Sequence, residues 1–180
     1  EADFVPKGEL FEKKRVAARK KLLHIASVLV GYEAPDDAVL IATSGRYEFK
    51  NKGIDMYVDA LNRLRLHYDG EREIIAFVLV PAWVNEPRAD LLERLASGES
   101  YRTPLPDPYI THTLHNMAED KVVNQIRYCG FPQKPESKLK IIFVPSYLTG
   151  NDGIVDLTYY DTLIGFDATA FPSYYEPWGY

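Results

Sequence analysis

Three cations crowd one short loop of this chain: Arg46, Lys50 and Lys52, within the run T-S-G-R-Y-E-F-K-N-K-G that starts at Thr43. An apolar stretch, residues 38–42, precedes the loop, and Ile54, Val58, Leu61 and Leu64 follow it at near-helical spacing. Cations between the C-terminal end of a strand and the N-terminus of a helix suit a diphosphate, because side chains and helix dipole both favour negative charge there. Arg offers a rigid fork of donors and Lys a mobile point charge. A second candidate lies at the far end of the sequence. Residues 171–180 read F-P-S-Y-Y-E-P-W-G-Y, with five aromatic residues and a single acid, Glu176. A lone carboxylate among rings suits a ligand rich in hydroxyls, and a glycine such as Gly179 lets backbone N–H groups approach such a ligand closely. The apolar run 168–171 reads as a strand, and the C-terminal ends of strands are where open α/β sheets bind ligands.

Other reactive residue types read as structural. His112 and His115, in T-H-T-L-H-N, are three apart, but no Cys or carboxylate triad accompanies them, so a metal is not expected there. Ser44 and Ser173 have no neighbouring base to make them nucleophiles. Asp152 and Asp156 lie in a turn-rich loop, and turn chemistry accounts for them. Cys129 is the sole cysteine, which excludes an internal disulfide and reads as a small core residue. His24 falls on a helix, and His67 near a helix end, where a cation complements the dipole.

The elements that must position these residues alternate along the chain. Periodicity predicts a helix over 8–30, a strand over 38–42, a helix over 54–66 and a strand over 74–80. A helix over 86–96 follows, then a Pro-rich connection around 101–109 and a helix over 116–128. A strand over 139–144, a helix over 157–163 and the strand 168–171 complete the set. Strands that are continuous apolar runs, each followed by a helix, predict an α/β fold with a Rossmann-like parallel sheet covered by helices on both faces. Neither G-x-G-x-x-G nor G-x-x-x-x-G-K-[ST] occurs, so a dinucleotide fingerprint and a P-loop are both unsupported.

Composition narrows the function classes. The fractions of hydrophobic (46%) and charged (26%) residues are those of an ordinary globular domain. A net charge of −5 argues against nucleic acid as the main partner. The basic run 13–21 reads as a solvated helix face, with Leu22, Ile25 and Leu29 on the apolar side. The longest apolar stretch, 74–84, falls short of the roughly 18 residues that a membrane span needs. No signal-peptide pattern is visible, and a single cysteine suits a reducing compartment, so the expected location is the cytoplasm.

Three blocks of the sequence resemble one family. The run Y-Y-E-P-W-G-Y, the block from Thr43 to Leu64 and the block L-K-I-I-F-V-P-S-Y-L-T-G-N-D-G-I-V-D-L-T-Y-Y from Leu139 are similar to the glycogen synthases of the fungal and animal type, which are retaining glycosyltransferases. The resemblance implies the C-terminal, donor-binding half of a two-domain GT-B enzyme. It divides the chain into an N-terminal helix and connection (1–36) and a nucleotide-sugar-binding domain (37–180). The other domain and a second Glu, eight positions after Glu176, are expected beyond the residues present. It implies that Arg46 and Lys52, the latter just before Gly53, bind the donor's pyrophosphate, with Lys50 facing solvent. Tyr147 and Tyr159 would sandwich the nucleotide base. Glu176 would hold sugar hydroxyls or stabilise the cationic sugar, and the N–H groups of Trp178 and Gly179 would fix the ring.

The implied reaction moves glucose from UDP-glucose or ADP-glucose to an α-1,4-glucan with retention. It uses no metal or other cofactor, and the isolated chain is expected to be inactive. The implied partners are the nucleoside diphosphate glucose, the α-glucan acceptor and the other domain, and the residues leave a homo-oligomer open. Two alternatives stand beside this reading: a retaining GT-B enzyme with another donor or acceptor, and a non-enzymatic nucleotide-sugar-binding module.

Overall fold

The computed structural model describes residues 6–176. Strands β1 (Val39–Ser44), β2 (Ile74–Leu79), β5 (Leu139–Val144) and β6 (Ala168–Thr169) form one parallel sheet in the order β5-β2-β1-β6. Every residue of β2 and β5 is buried. A continuous apolar run has two apolar faces, and both leave water only between two helical layers. One face sends Leu40, Ala42, Ile75, Phe77 and Ile142 against Leu22, Ile25 and Leu29 of α1 (Gly8–Val30) and Leu91 of α3 (Ala89–Ser97). The other sends Ala76, Val78, Ile141 and Phe143 against Tyr57, Val58 and Leu61 of α2 (Ile54–His67) and Val122, Val123 and Ile126 of α4 (Lys121–Cys129). α5 (Tyr159–Leu163) leads into β6.

One charge lies within this sheet. Lys140 of β5, paired in register with Ile75 of β2, is fully buried. Its ammonium donates to the Glu73 carboxylate and to the Ser137 carbonyl at 2.6 Å, and it lies 4.2 Å from the centre of the Tyr32 ring. Burial draws its pKa below the usual lysine value, and Glu73 opposes that shift.

The helix at 8–30 and the strand at 139–144 have the expected bounds, and four other elements begin later than expected, β1 by a single residue. The helix predicted over 86–96 begins at Ala89, because Pro87 lacks an N–H and Arg88, with ψ 123°, is still extended. Residues ahead of it form β3 (Val84–Pro87), antiparallel to β4 (His112–Leu114) in a ribbon that periodicity did not predict. The helix predicted over 116–128 begins at Lys121, after a separate 3₁₀ turn at Met117–Glu119. Asp120 is its N-cap and accepts the Val123 N–H at 2.9 Å. α5 begins at Tyr159 rather than 157, because the Thr158 hydroxyl caps it by accepting the Asp161 N–H. β6 is shorter than the predicted strand, although the Ala170 N–H still donates to the Ala42 carbonyl at 2.8 Å.

Candidate functional site

The sheet order sets the place of the site. The chain leaves β1 towards β2 on one side and later enters β6 on the other, so the crevice beyond β1 and β6 is a topological switch point. Two loops leave these neighbouring strand ends, residues 45–53 after β1 and 170–176 after β6. They meet backbone to backbone. Gly53 has φ +65°, and a Cβ there would lie 1.9 Å from the Pro172 carbonyl oxygen, so the approach depends on glycine. The Tyr174 N–H donates to the Asn51 carbonyl at 2.9 Å.

This contact brings together two side chains that lie 124 positions apart. Lys52 Nζ donates to Glu176 Oε2 at 2.5 Å, with the Lys52 side chain only 7% exposed. The Ser173 hydroxyl donates to the same carboxylate oxygen at 3.3 Å. The Lys52 hydrogen bond holds the Glu176 carboxyl below the usual carboxylate range. Desolvation opposes that shift, and the charges of Lys52 and Arg46 and the Ser173 hydroxyl add to it. Arg46 is 69% exposed and pairs with Glu48 at 2.7 Å. Lys50 points elsewhere, pairing with Asp55 at 2.8 Å in an exposed position.

Beside the pair opens a cleft of about 450 Å³ at the C-terminal ends of β1, β2 and β5, lined among others by Arg46, Tyr47, Leu79, Tyr147 and Tyr159. The structure thus places Arg46, Tyr147 and Tyr159 in one cavity. Lys52 and Glu176 are not among its lining residues, and Arg46 links the two groups electrostatically. The Tyr159 hydroxyl and Ser44 Oγ share a hydrogen bond of 2.7 Å, while Tyr147 is 70% exposed. Trp178 and Gly179 lie outside the described residues.

Sequence reasoning missed two contributors. Ser44 lacks a base but anchors Tyr159. Tyr47 forms part of the cleft wall because its hydroxyl donates to Asp120 at 2.8 Å and accepts the Val122 N–H at 3.2 Å. Burial, chiefly, pushes the Tyr47 pKa above its usual value. Its position between Arg46 and Glu48 was the one available signal.

Tyr147 and Tyr159 stand at the two ends of a single loop. Near them it closes through a bridge between Thr149 and Thr158 and through the Tyr159 N–H, which donates to the Leu148 carbonyl at 2.9 Å. At its apex the Asp152 carboxylate accepts the N–H groups of Ile154, Val155 and Asp156 at 3.2, 3.0 and 2.8 Å. Asp156 in turn accepts the Gly153 N–H at 2.7 Å. These bonds are the turn chemistry that the sequence suggested for both acids. His112 is buried in β4, whereas His115 stacks on Trp83 with ring centres 5.0 Å apart.

A family model described as glycogen synthase matches residues 29–102 and 99–180. The glycogen [starch] synthase of Neurospora crassa is 29% identical over an alignment covering 81% of this chain and 28% of that protein. Isoform 2 of the Saccharomyces cerevisiae glycogen [starch] synthase is 31% identical over 81% of this chain and 29% of its own length. The Caenorhabditis elegans glycogen [starch] synthase is 26% identical with the same coverage. The chain therefore spans under a third of the length of these relatives.

Proposed function

Since this chain belongs to the glycogen synthase family, we propose that it forms the donor-binding half of a GT-B glycosyltransferase that adds glucose to an α-1,4-glucan. The observation that carries this reading is the meeting of Lys52 with Glu176 at the switch point, beside a cleft that Arg46 shares with two tyrosines. In the proposed reaction the bond from the sugar's anomeric carbon to the diphosphate oxygen breaks. A bond from that carbon to the acceptor's 4-oxygen forms on the same face, and the acceptor's proton leaves with the diphosphate.

Negative charge then grows on the diphosphate and positive charge on the sugar. Arg46 and Lys52 answer the first as fixed cations whose field is in place before reaction, so that no metal is required. Glu176 answers the second and binds sugar hydroxyls. The bond to Glu176 orients Lys52, which meets the diphosphate as a point charge. Tyr147 and Tyr159 take the base, where stacking is worth roughly 1–3 kcal/mol. The acceptor contacts and the remaining catalytic groups belong to the rest of the parent protein, working in the cytoplasm. No helix among the described residues is long and apolar enough to cross a membrane.

Calorimetric titration of the chain with UDP, repeated on Arg46→Ala, tests the site. Weak binding that disappears in the variant is the expected result, and no binding by the unsubstituted chain would withdraw the assignment. Competition between UDP-glucose and ADP-glucose in the full-length parent identifies the donor.

A further inference from the structure

We infer that His112 is a positioning residue for the stacking tyrosines: it latches the apex of the 147–159 loop to the β3–β4 ribbon and thereby governs how well the site holds a nucleotide base. This inference rests on the donor-site reading above. His112 is 1% exposed, with Nε2 3.0 Å from the Asp152 carbonyl oxygen and Nδ1 2.7 Å from Thr111 Oγ1. A carbonyl only accepts, so Nε2 carries the proton, and the Nδ1 lone pair of a neutral ring then accepts the Thr111 hydroxyl. Burial lowers the His112 pKa and favours that neutral form, against the opposing pull of Asp152 and Asp156.

Asp152 works in two directions. Its carbonyl takes the bond from the ribbon, and its carboxylate, with Oδ2 3.6 Å from His112 Nε2, gathers the N–H groups of the loop's own turn. The next residue, Gly153, has φ +90°, and a Cβ there would lie 2.6 Å from Cγ of Pro87 on β3, so both ribbon strands touch the apex. Ile154 and Val155 then enter the core. With its apex held at three points, the loop delivers Tyr147 and Tyr159 from its two ends. A buried imidazole is costly unless its polar atoms are satisfied, and here Nδ1 is engaged by Thr111 while Nε2 holds this loop.

The test separates the base from the diphosphate. The chain, its His112→Phe variant and its His112→Gln variant are titrated by calorimetry with UDP and, separately, with inorganic pyrophosphate. Phe fills the space without the hydrogen bond, and Gln restores a donor near the Nε2 position. His112→Phe is expected to weaken UDP binding about fivefold, the worth of one buried hydrogen bond, and to leave pyrophosphate binding unchanged. His112→Gln is expected to recover most of the loss. Hydrogen exchange at the amides of residues 154–156 should quicken in the Phe variant alone. If His112→Phe does not fold, the near-isosteric Thr111→Val, which removes the hydroxyl bonded to Nδ1, should show the same split more weakly. Unchanged UDP affinity, or equal losses for UDP and pyrophosphate, overturns the latch. An unsubstituted chain that binds neither ligand overturns the donor reading as well.

Discussion

On the Lys52 side of the site, two loops from adjacent strand ends touch directly, through Gly53 on Pro172 and Tyr174 on Asn51, and a short ion pair closes the contact. On the Tyr147 side, a single loop reaches outward and is held from beneath by a two-stranded ribbon that does not line the cleft. The first arrangement places charge by proximity of backbone and leaves Lys52 little room to move. The second presents flat rings at the rim, one of them largely exposed, from a loop whose shape is set at its far end. Charge, in this molecule, is positioned locally, and the tyrosine rings are positioned from a distance.

The largest effect is expected where the charged side has no slack. Gly53→Ala drives a Cβ into the Pro172 carbonyl at a left-handed backbone position. Strain there costs about 1–2 kcal/mol and overpacking about 1–3 kcal/mol more. An unfolding free energy lowered by about that sum in denaturant titration, with UDP binding lost, is the expected outcome; a stable, binding variant would show that the two loops can separate.

Next comes Tyr159→Ala, which removes one of the two faces proposed to stack on the base. UDP affinity should fall by about 1–3 kcal/mol while pyrophosphate affinity holds. A parallel fall in both would mean that the two sides are not independent.

Arg46→Ala should lower glucose transfer by the full-length parent at least about tenfold, or about 1.4 kcal/mol of transition-state stabilisation. Its stability should barely change, since the side chain is exposed. Unchanged turnover would take Arg46 out of the site.

The smallest effect concerns pH. Glu176 has its pKa lowered from the ordinary 4.5, so the stability that its pairing contributes is fully present above that value and is lost as pH falls through the lower folded value. Carboxyl titration by NMR should find the Glu176 midpoint below 4.5, rising towards it in Lys52→Met. A midpoint insensitive to Lys52 would dissolve the pair in solution.

The charged side was the more legible of the two in sequence. Arg46 and Lys52 sit between an apolar run and an amphipathic helix, a local pattern, and Glu176 stands out as the one acid among aromatics. Their contact was not readable, because it depends on β6 lying beside β1, on the side away from β2 and β5. The ribbon escaped for a different reason. Val84–Pro87 and His112–Leu114 are too short and too polar to show alternation, and Pro87 beside a helical pattern reads as a helix start. His112 consequently looked like one of a pair with His115, whereas one is buried under a loop and the other stacks on Trp83. Buried-strand runs dominated by apolar residues were the easiest elements to place, and β5, apolar at every position but Lys140, was located to the residue.

Lys140 bears on how the sheet finds its alignment. A purely apolar β5 sliding along β2 would exchange one set of oily contacts for another at modest loss. With Lys140 opposite Ile75, the ammonium reaches Glu73 and the Ser137 carbonyl in this alignment. A shift by one residue turns the charge to the opposite face, and a shift by two carries it away from Glu73 among apolar side chains. The lysine thus acts less as a source of stability than as a veto on misregistration, keeping in step the strand ends from which the cleft is built.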